Sequence, residues 1–134
     1  MPSDELKLIS NFSLEELLKE SDVVTLHLPL NKLTKNIINE NKLQMMKSNA
    51  ILINLARGGL IDEVALKKML LEKKIAGAAI DVFEIEPPID NEFSLIDNVL
   101  ITPHIAGSTN EAILAMGMAA IDGLKNAKDP LEFL

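Results

Sequence analysis

The chain has 134 residues, 48% of them hydrophobic and 25% charged, and a formal net charge of −7. That balance excludes a disordered chain, a binder of phosphate backbones and, with 3% aromatics, a stacking platform for single strands. No apolar run approaches the roughly 18 residues of a membrane span, and no cysteine is present for disulfides, thiolate metal sites or thiol nucleophiles. The acidic start, Met1-Pro2-Ser3-Asp4-Glu5, is unlike a signal peptide. The expectation is one globular, soluble domain over residues 1–134, cytoplasmic, with no nucleic-acid or membrane partner.

Ser13-Leu14-Glu15-Glu16 has the form of a capping box, with Phe12 and Leu17 placed as a hydrophobic staple, and predicts a helix over residues 14–19. Residues 22–28, Asp-Val-Val-Thr-Leu-His-Leu, are short, β-branched and apolar, and end at Pro29, as a buried parallel strand does. Residues 39–46 read as a second short helix. Residues 50–55 read as a second buried strand, stopped by Arg57-Gly58-Gly59. Asp62 caps a third helix with Ala65, Leu66, Met69 and Leu70 on one face, and Gly77 ends that region.

Residues 78–82 form a third predicted strand, residues 87–98 a loop opened by Pro87-Pro88, and residues 99–102 a fourth strand stopped by Pro103. Ser108-Thr109-Asn110-Glu111 reads as another capping box and starts a long helix to Leu124. Alternating strands and helices predict an α/β fold with a mostly parallel sheet and helices on both faces. In such sheets ligands bind at the carboxyl ends of the strands.

Four polar residues fall at those ends. Arg57, the sole arginine beside 12 lysines, follows the second strand. Its guanidinium fork suits a carboxylate, although a glycine turn with Arg57 facing solvent fits the same residues. Asp81 lies near the end of the third strand among apolar neighbours, and a buried carboxylate needs a partner. Glu86 precedes Pro87 and reads also as a plain loop residue. His104 follows Pro103 and is suited to proton transfer near neutral pH, although a histidine there is as often structural. Arginine with a histidine–glutamate pair is what reduction of a 2-keto acid requires: one group holds the acid and the other protonates the carbonyl as hydride arrives. His27, inside an apolar strand, reads as structural. The pairs Lys67-Lys68 and Lys73-Lys74 read as a solvated helix face. Two histidines a sheet apart make a poor zinc site, and no metal is expected.

Four stretches, residues 21–29, 53–62, 77–87 and 98–109, resemble the D-isomer-specific 2-hydroxyacid dehydrogenases in order and spacing. That group includes phosphoglycerate dehydrogenases, glyoxylate and hydroxypyruvate reductases, and D-lactate dehydrogenases. The resemblance implies a three-layer Rossmann-like fold lacking its first strand-helix-strand unit, and an NAD-dependent oxidoreductase, with NADP left open. It implies that Arg57 holds the substrate carboxylate, that Glu86 partners the catalytic histidine and that His104 gives and takes the proton. Asp81 would bond the nicotinamide carboxamide. Leu55, Ala56 and Arg57, with His104, Ile105, Ala106 and Gly107, would line the nicotinamide. His27, Leu28 and Pro29 would lie near the adenosine, and Thr34 where the family contacts cofactor.

The six glycines begin at Gly58, so no Gly-x-Gly-x-x-Gly turn is present for a pyrophosphate. The family's substrate domain is likewise not represented. In the family order 3-2-1-4-5-6, residues 6–10 would correspond to strand 3 and residues 23–28 to strand 4, leaving the latter an open edge. The chain alone is therefore expected to have little or no activity. It is expected to associate with itself or with a complementing chain. Two further readings stand beside the enzyme: a non-catalytic association module, and one piece of a split dehydrogenase.

Overall fold

The computed structural model describes residues 12–88 and 92–126. The expected strand at residues 6–10 lies outside them. The chain divides into two compact units, Met1–Pro103 and His104–Leu134.

The first unit holds helices α1 (Leu14–Glu20), α2 (Glu40–Leu43) and α3 (Glu63–Leu71) and strands β1 (Val23–Leu26), β2 (Ile51–Asn54), β3 (Gly77–Ile80) and β4 (Val99–Ile101). The strands form one parallel sheet in the order β1-β2-β3-β4. Val24, Leu52, Ala78 and Val99 stand in register across it, as do Leu26, Asn54, Ile80 and Ile101.

Those rows face the core. Leu18 of α1, Leu43 of α2, and Leu66, Met69 and Leu70 of α3 pack in one cluster with Val24, Leu26, Leu52, Ala78 and Ile80. The opposite face is apolar too, but in the first unit no described helix covers it. Val23, Thr25, Ile51 and Leu100 are exposed there, Leu100 at 66%. Among the described residues β1 pairs only with β2, so it is an edge.

Local chemistry accounts for the helix starts. The Ser13 hydroxyl accepts the Glu16 amide, and Glu16 Oε2 accepts the Ser13 amide at 2.9 Å, which completes the expected capping box. Asn39 caps α2 through the Lys42 amide, and Asp62 caps α3 through the Ala65 amide at 3.0 Å. The helix expected over 39–46 keeps one turn, Glu40–Leu43, and continues as tighter turns. The loop expected over 87–98 contains a short 3-10 helix, Glu92–Leu95, with Phe93 buried and its ring 6.1 Å from that of Phe83.

In the second unit α4 spans Asn110–Lys125. Its cap is Thr109, whose hydroxyl accepts the Ala112 amide at 3.1 Å, and not the expected Ser108. Both residues can cap; the Ser108 amide is instead bonded to the Ile105 carbonyl at 2.9 Å, in the turn before the helix.

Candidate active site

The loops after β1 and β2 build one cleft. Pro29 ends β1's extension, and the chain turns at Asn31, whose side chain accepts the Leu33 amide at 2.8 Å. Thr34 locks the same turn: its hydroxyl donates to the Pro29 carbonyl at 2.7 Å and receives the Asn31 amide at 2.8 Å. After β2, the side chain of buried Asn54 spans the next turn. Its Nδ2 donates to the Arg57 carbonyl at 2.9 Å, and its Oδ1 accepts the Ala56 amide at 3.1 Å. Gly59, at φ +75°, completes the reversal and leads the chain into α3.

Between these walls lies a cleft of about 650 Å³ lined by His27, Leu28, Pro29, Leu30, Leu55, Ala56 and Arg57. The structure thus brings together six of the sequence-predicted residues: His27, Leu28, Pro29, Leu55, Ala56 and Arg57. His27 stands past the end of β1, exposed, with its Nε2 3.1 Å from the Thr25 hydroxyl. The placement of His27 inside the strand is corrected: the strand stops at Leu26, just before it. Thr34 does not line the cleft but braces its Pro29 wall. Arg57 is exposed, and its Nη1 donates to the Ala56 carbonyl at 2.6 Å.

Asp81 follows β3, just past the strand in which the sequence placed it. It is 1% exposed. Its amide donates to the Asn54 carbonyl at 3.0 Å, and the Thr102 hydroxyl donates to its Oδ1 at 2.5 Å. Thr102, the residue just after β4, thereby supplies the partner that a buried carboxylate requires.

Glu86 lies on the exposed loop after Asp81, before a cis Glu86-Pro87 bond. Its Oε1 accepts the Phe83 amide at 3.0 Å. This loop is pressed against the Arg57 turn. A Cβ built on Gly58 would lie 1.9 Å from the Phe83 carbonyl oxygen. The loop is also tied to α3, because the Glu84 amide donates to Glu63 Oε1 at 2.7 Å. Burial pushes the Glu63 carboxyl above its ordinary range, the Glu84 amide pulls it back, and the Glu84 and Glu86 carboxylates push it up again.

In the second unit, His104 is exposed at φ +54°, a strained conformation for a residue with a side chain. Ile105, Ala106 and Gly107 are exposed as well, and nothing lies within 4 Å of a Cβ built on Gly107.

Three residues that hold this rim were assigned no role from sequence: Asn54, Glu63 and Thr102. Asn54 carried one readable signal, a polar side chain closing an apolar strand. Glu63 and Thr102 act across 21 positions and left none.

A dinucleotide fits this rim in part. The residues present offer an open groove at strand carboxyl ends, amides of a tight turn and a buried acceptor, Asp81, which suit the nicotinamide end. The chain has no glycine-rich turn for the pyrophosphate.

Comparison with known proteins agrees. The sequence profile described as D-isomer specific 2-hydroxyacid dehydrogenase, NAD binding domain, matches residues 2–106. The chain is 50% identical over 112 residues to a D-3-phosphoglycerate dehydrogenase of Methanocaldococcus jannaschii, covering 84% of this chain and 21% of that protein. It is 54% identical over 103 residues to a glyoxylate reductase of Pyrococcus furiosus, covering 77% and 31%. A D-lactate dehydrogenase from Aquifex aeolicus, solved with NAD and lactic acid, superimposes with a TM-score of 0.79 at 35% identity, over 93% of this chain and 43% of that one. The chain thus spans between a fifth and a third of the length of these two curated relatives. From the matched profile, the level of identity and the parallel sheet together, the chain belongs to the D-isomer-specific 2-hydroxyacid dehydrogenases, with residues 2–106 matching their NAD-binding domain.

Proposed function

We propose that this chain provides the substrate-facing part of the cofactor domain of an NAD-dependent 2-hydroxyacid dehydrogenase. The observation that carries the reading is the joined rim of β2 and β3. There the turn presenting Arg57 and the loop presenting Glu86 are packed backbone to backbone through Gly58 and Phe83. The nicotinamide supplies the hydride acceptor or donor when bound. The Arg57 fork binds the acid's carboxylate and so fixes the position of C2. His104 takes the hydroxyl proton as C2 loses its hydride and the C–O bond becomes a carbonyl, and it returns that proton in the reverse direction. Glu86 is the carboxylate that holds the orientation of the His104 ring. Asp81, kept in place by Thr102, would accept from the carboxamide; Leu55, Ala56, Ile105, Ala106 and Gly107 would line the ring, His27, Leu28 and Pro29 would line the adenosine side, and Thr34 would hold Pro29 there.

Substrates are 2-hydroxy or 2-keto acids, the cofactor is NAD, and the site takes no metal. With no glycine-rich turn, the chain alone binds the dinucleotide weakly and turns over little or not at all. The edge of β1, unpaired among the described residues, favours association with a second copy or with a chain that contributes the glycine-rich half. The test is titration of the 134-residue chain with NADH, followed by amide spectra and nicotinamide fluorescence. Shifts confined to the residues around the cleft and Asp81, and reduced in Asp81→Asn, support the reading. A folded chain whose amides do not respond to millimolar NADH refutes it.

A further inference from the structure

Glu63 occupies the first turn of α3, directly after the Asp62 cap, where a carboxylate would ordinarily need only the helix dipole. It does something more specific. Half-buried, it reaches across 21 positions and accepts the Glu84 amide at 2.7 Å. The residue before, Phe83, has its amide on Glu86 Oε1 and its carbonyl against Gly58. The two consecutive amides of Phe83 and Glu84 are therefore held by two carboxylates, one from outside the loop and one from within it. The buried side chain of Phe83 fixes the start of the loop, and Glu63 fixes it at Glu84. Lys35 adds an exposed ion pair to Glu84 at 3.4 Å, a weak constraint by comparison.

We infer that Glu63 is a positioning residue for Glu86: by holding the Glu84 amide it fixes the plane of the Phe83–Glu84 peptide, and from that plane the chain runs two residues on to Glu86, whose carboxylate returns to the Phe83 N–H. The inference rests on the reading of Glu86 as the histidine's carboxylate partner only for its consequence in catalysis; the geometry of the two amides stands by itself. A like-charged carboxylate is tolerated so close to Glu84 and Glu86 because the amide bond and Lys67 offset the repulsion.

The experiment compares amide spectra and hydrogen exchange of the 134-residue chain with those of Glu63→Ala, Glu63→Gln and Glu63→Asp. Loss of the acceptor speeds exchange at the Glu84 amide about tenfold, the factor carried by one hydrogen bond of ordinary net strength. The Phe83 amide resonance moves with it, in the direction produced by Glu86→Gln. Glu63→Gln, which keeps the acceptor oxygen, restores both signals; Glu63→Asp, one methylene short, does not, and it serves where Glu63→Ala fails to fold. The inference is overturned if the Phe83 resonance stays at its wild-type position while only the Glu84 amide changes, or if neither changes. The Glu86 role is read separately from the His104 ring resonances. Ring resonances unaltered by Glu86→Gln remove the catalytic consequence and leave the Phe83 result standing.

Discussion

Gly58→Ala is the sharpest test of the joined rim. The new Cβ would meet the Phe83 carbonyl oxygen at 1.9 Å, its carbon at 2.1 Å and the Glu84 nitrogen at 2.5 Å, all backbone atoms. Against a closest approach of 3.0 Å, one turn must retreat by about 1.1 Å, and no side-chain rotation can supply that movement. The retreat strains the Phe83 and Glu84 amide bonds to Glu86 and Glu63. Overpacking of this kind costs about 1–3 kcal/mol and a lost hydrogen bond about 1 kcal/mol, so a total near 3 kcal/mol is expected. For a chain of this length that lowers the melting temperature by roughly 10 °C. Calorimetry and urea unfolding measure it, with Gly107→Ala as control, since nothing lies within 4 Å of its added Cβ. Melting of Gly58→Ala within about 2 °C of wild type would show that the two turns do not touch.

Other substitutions probe the remaining parts. Gly117→Ala in α4, with open space around the added Cβ, stabilises the helix by about 0.5–1 kcal/mol, seen as increased helicity and a higher transition in circular dichroism. Asn54→Ala removes both bonds that shape the Arg57 turn and costs about 1–3 kcal/mol by urea unfolding; a change below about 0.5 kcal/mol would count against Asn54 as the brace. The acid limb of stability depends on carboxyls held below their ordinary values, among them Asp22 by its bond to Lys47 and Glu92 by its bond to Lys67. Their contribution is present above pH about 4 and lost as pH falls through the depressed values, so Lys47→Met flattens the urea midpoint measured below pH about 4. Glu63 has the opposite sign. Burial raises its carboxyl, so its favourable contribution is full below its ordinary value and is lost as pH rises through the raised one. Glu63→Gln therefore lifts the midpoint at neutral pH relative to acid pH.

The strands and helix starts were legible because their causes are local. Val23-Val24, Ile51-Leu52-Ile53 and Val99-Leu100-Ile101 are apolar runs bounded by Pro29, Arg57-Gly58 and Pro103. Ser13 and Glu16 carry a whole capping box in four residues. At Ser108-Thr109 two capable caps adjoin, and the helix starts from Thr109, a choice that no spacing rule reveals. The 3-10 helix Glu92–Leu95 is too short for a period and is anchored by Phe93, buried against Phe83. The candidate site divides the same way. Residue type and position at strand ends pointed to Arg57, Asp81, Glu86 and His104. The groups that hold the rim, Asn54, Glu63, Gly58 and Thr102, mostly act through pairs distant in sequence, which leave no trace in composition or periodicity.

The order of the sheet bears on how the chain acquires its shape. Among the described residues each strand after β1 pairs with the one that precedes it, so β2, β3 and β4 are each added to an outer edge and none of these is threaded between two already joined. Every pairing closes a single crossover, which keeps the entropic cost of each step modest. A chain emerging in that order can assemble its ladder as it is made, with α3 sealing β2 to β3 before β4 arrives. Asp81 is then the last piece to be secured, because Thr102, its partner, lies beyond the final strand.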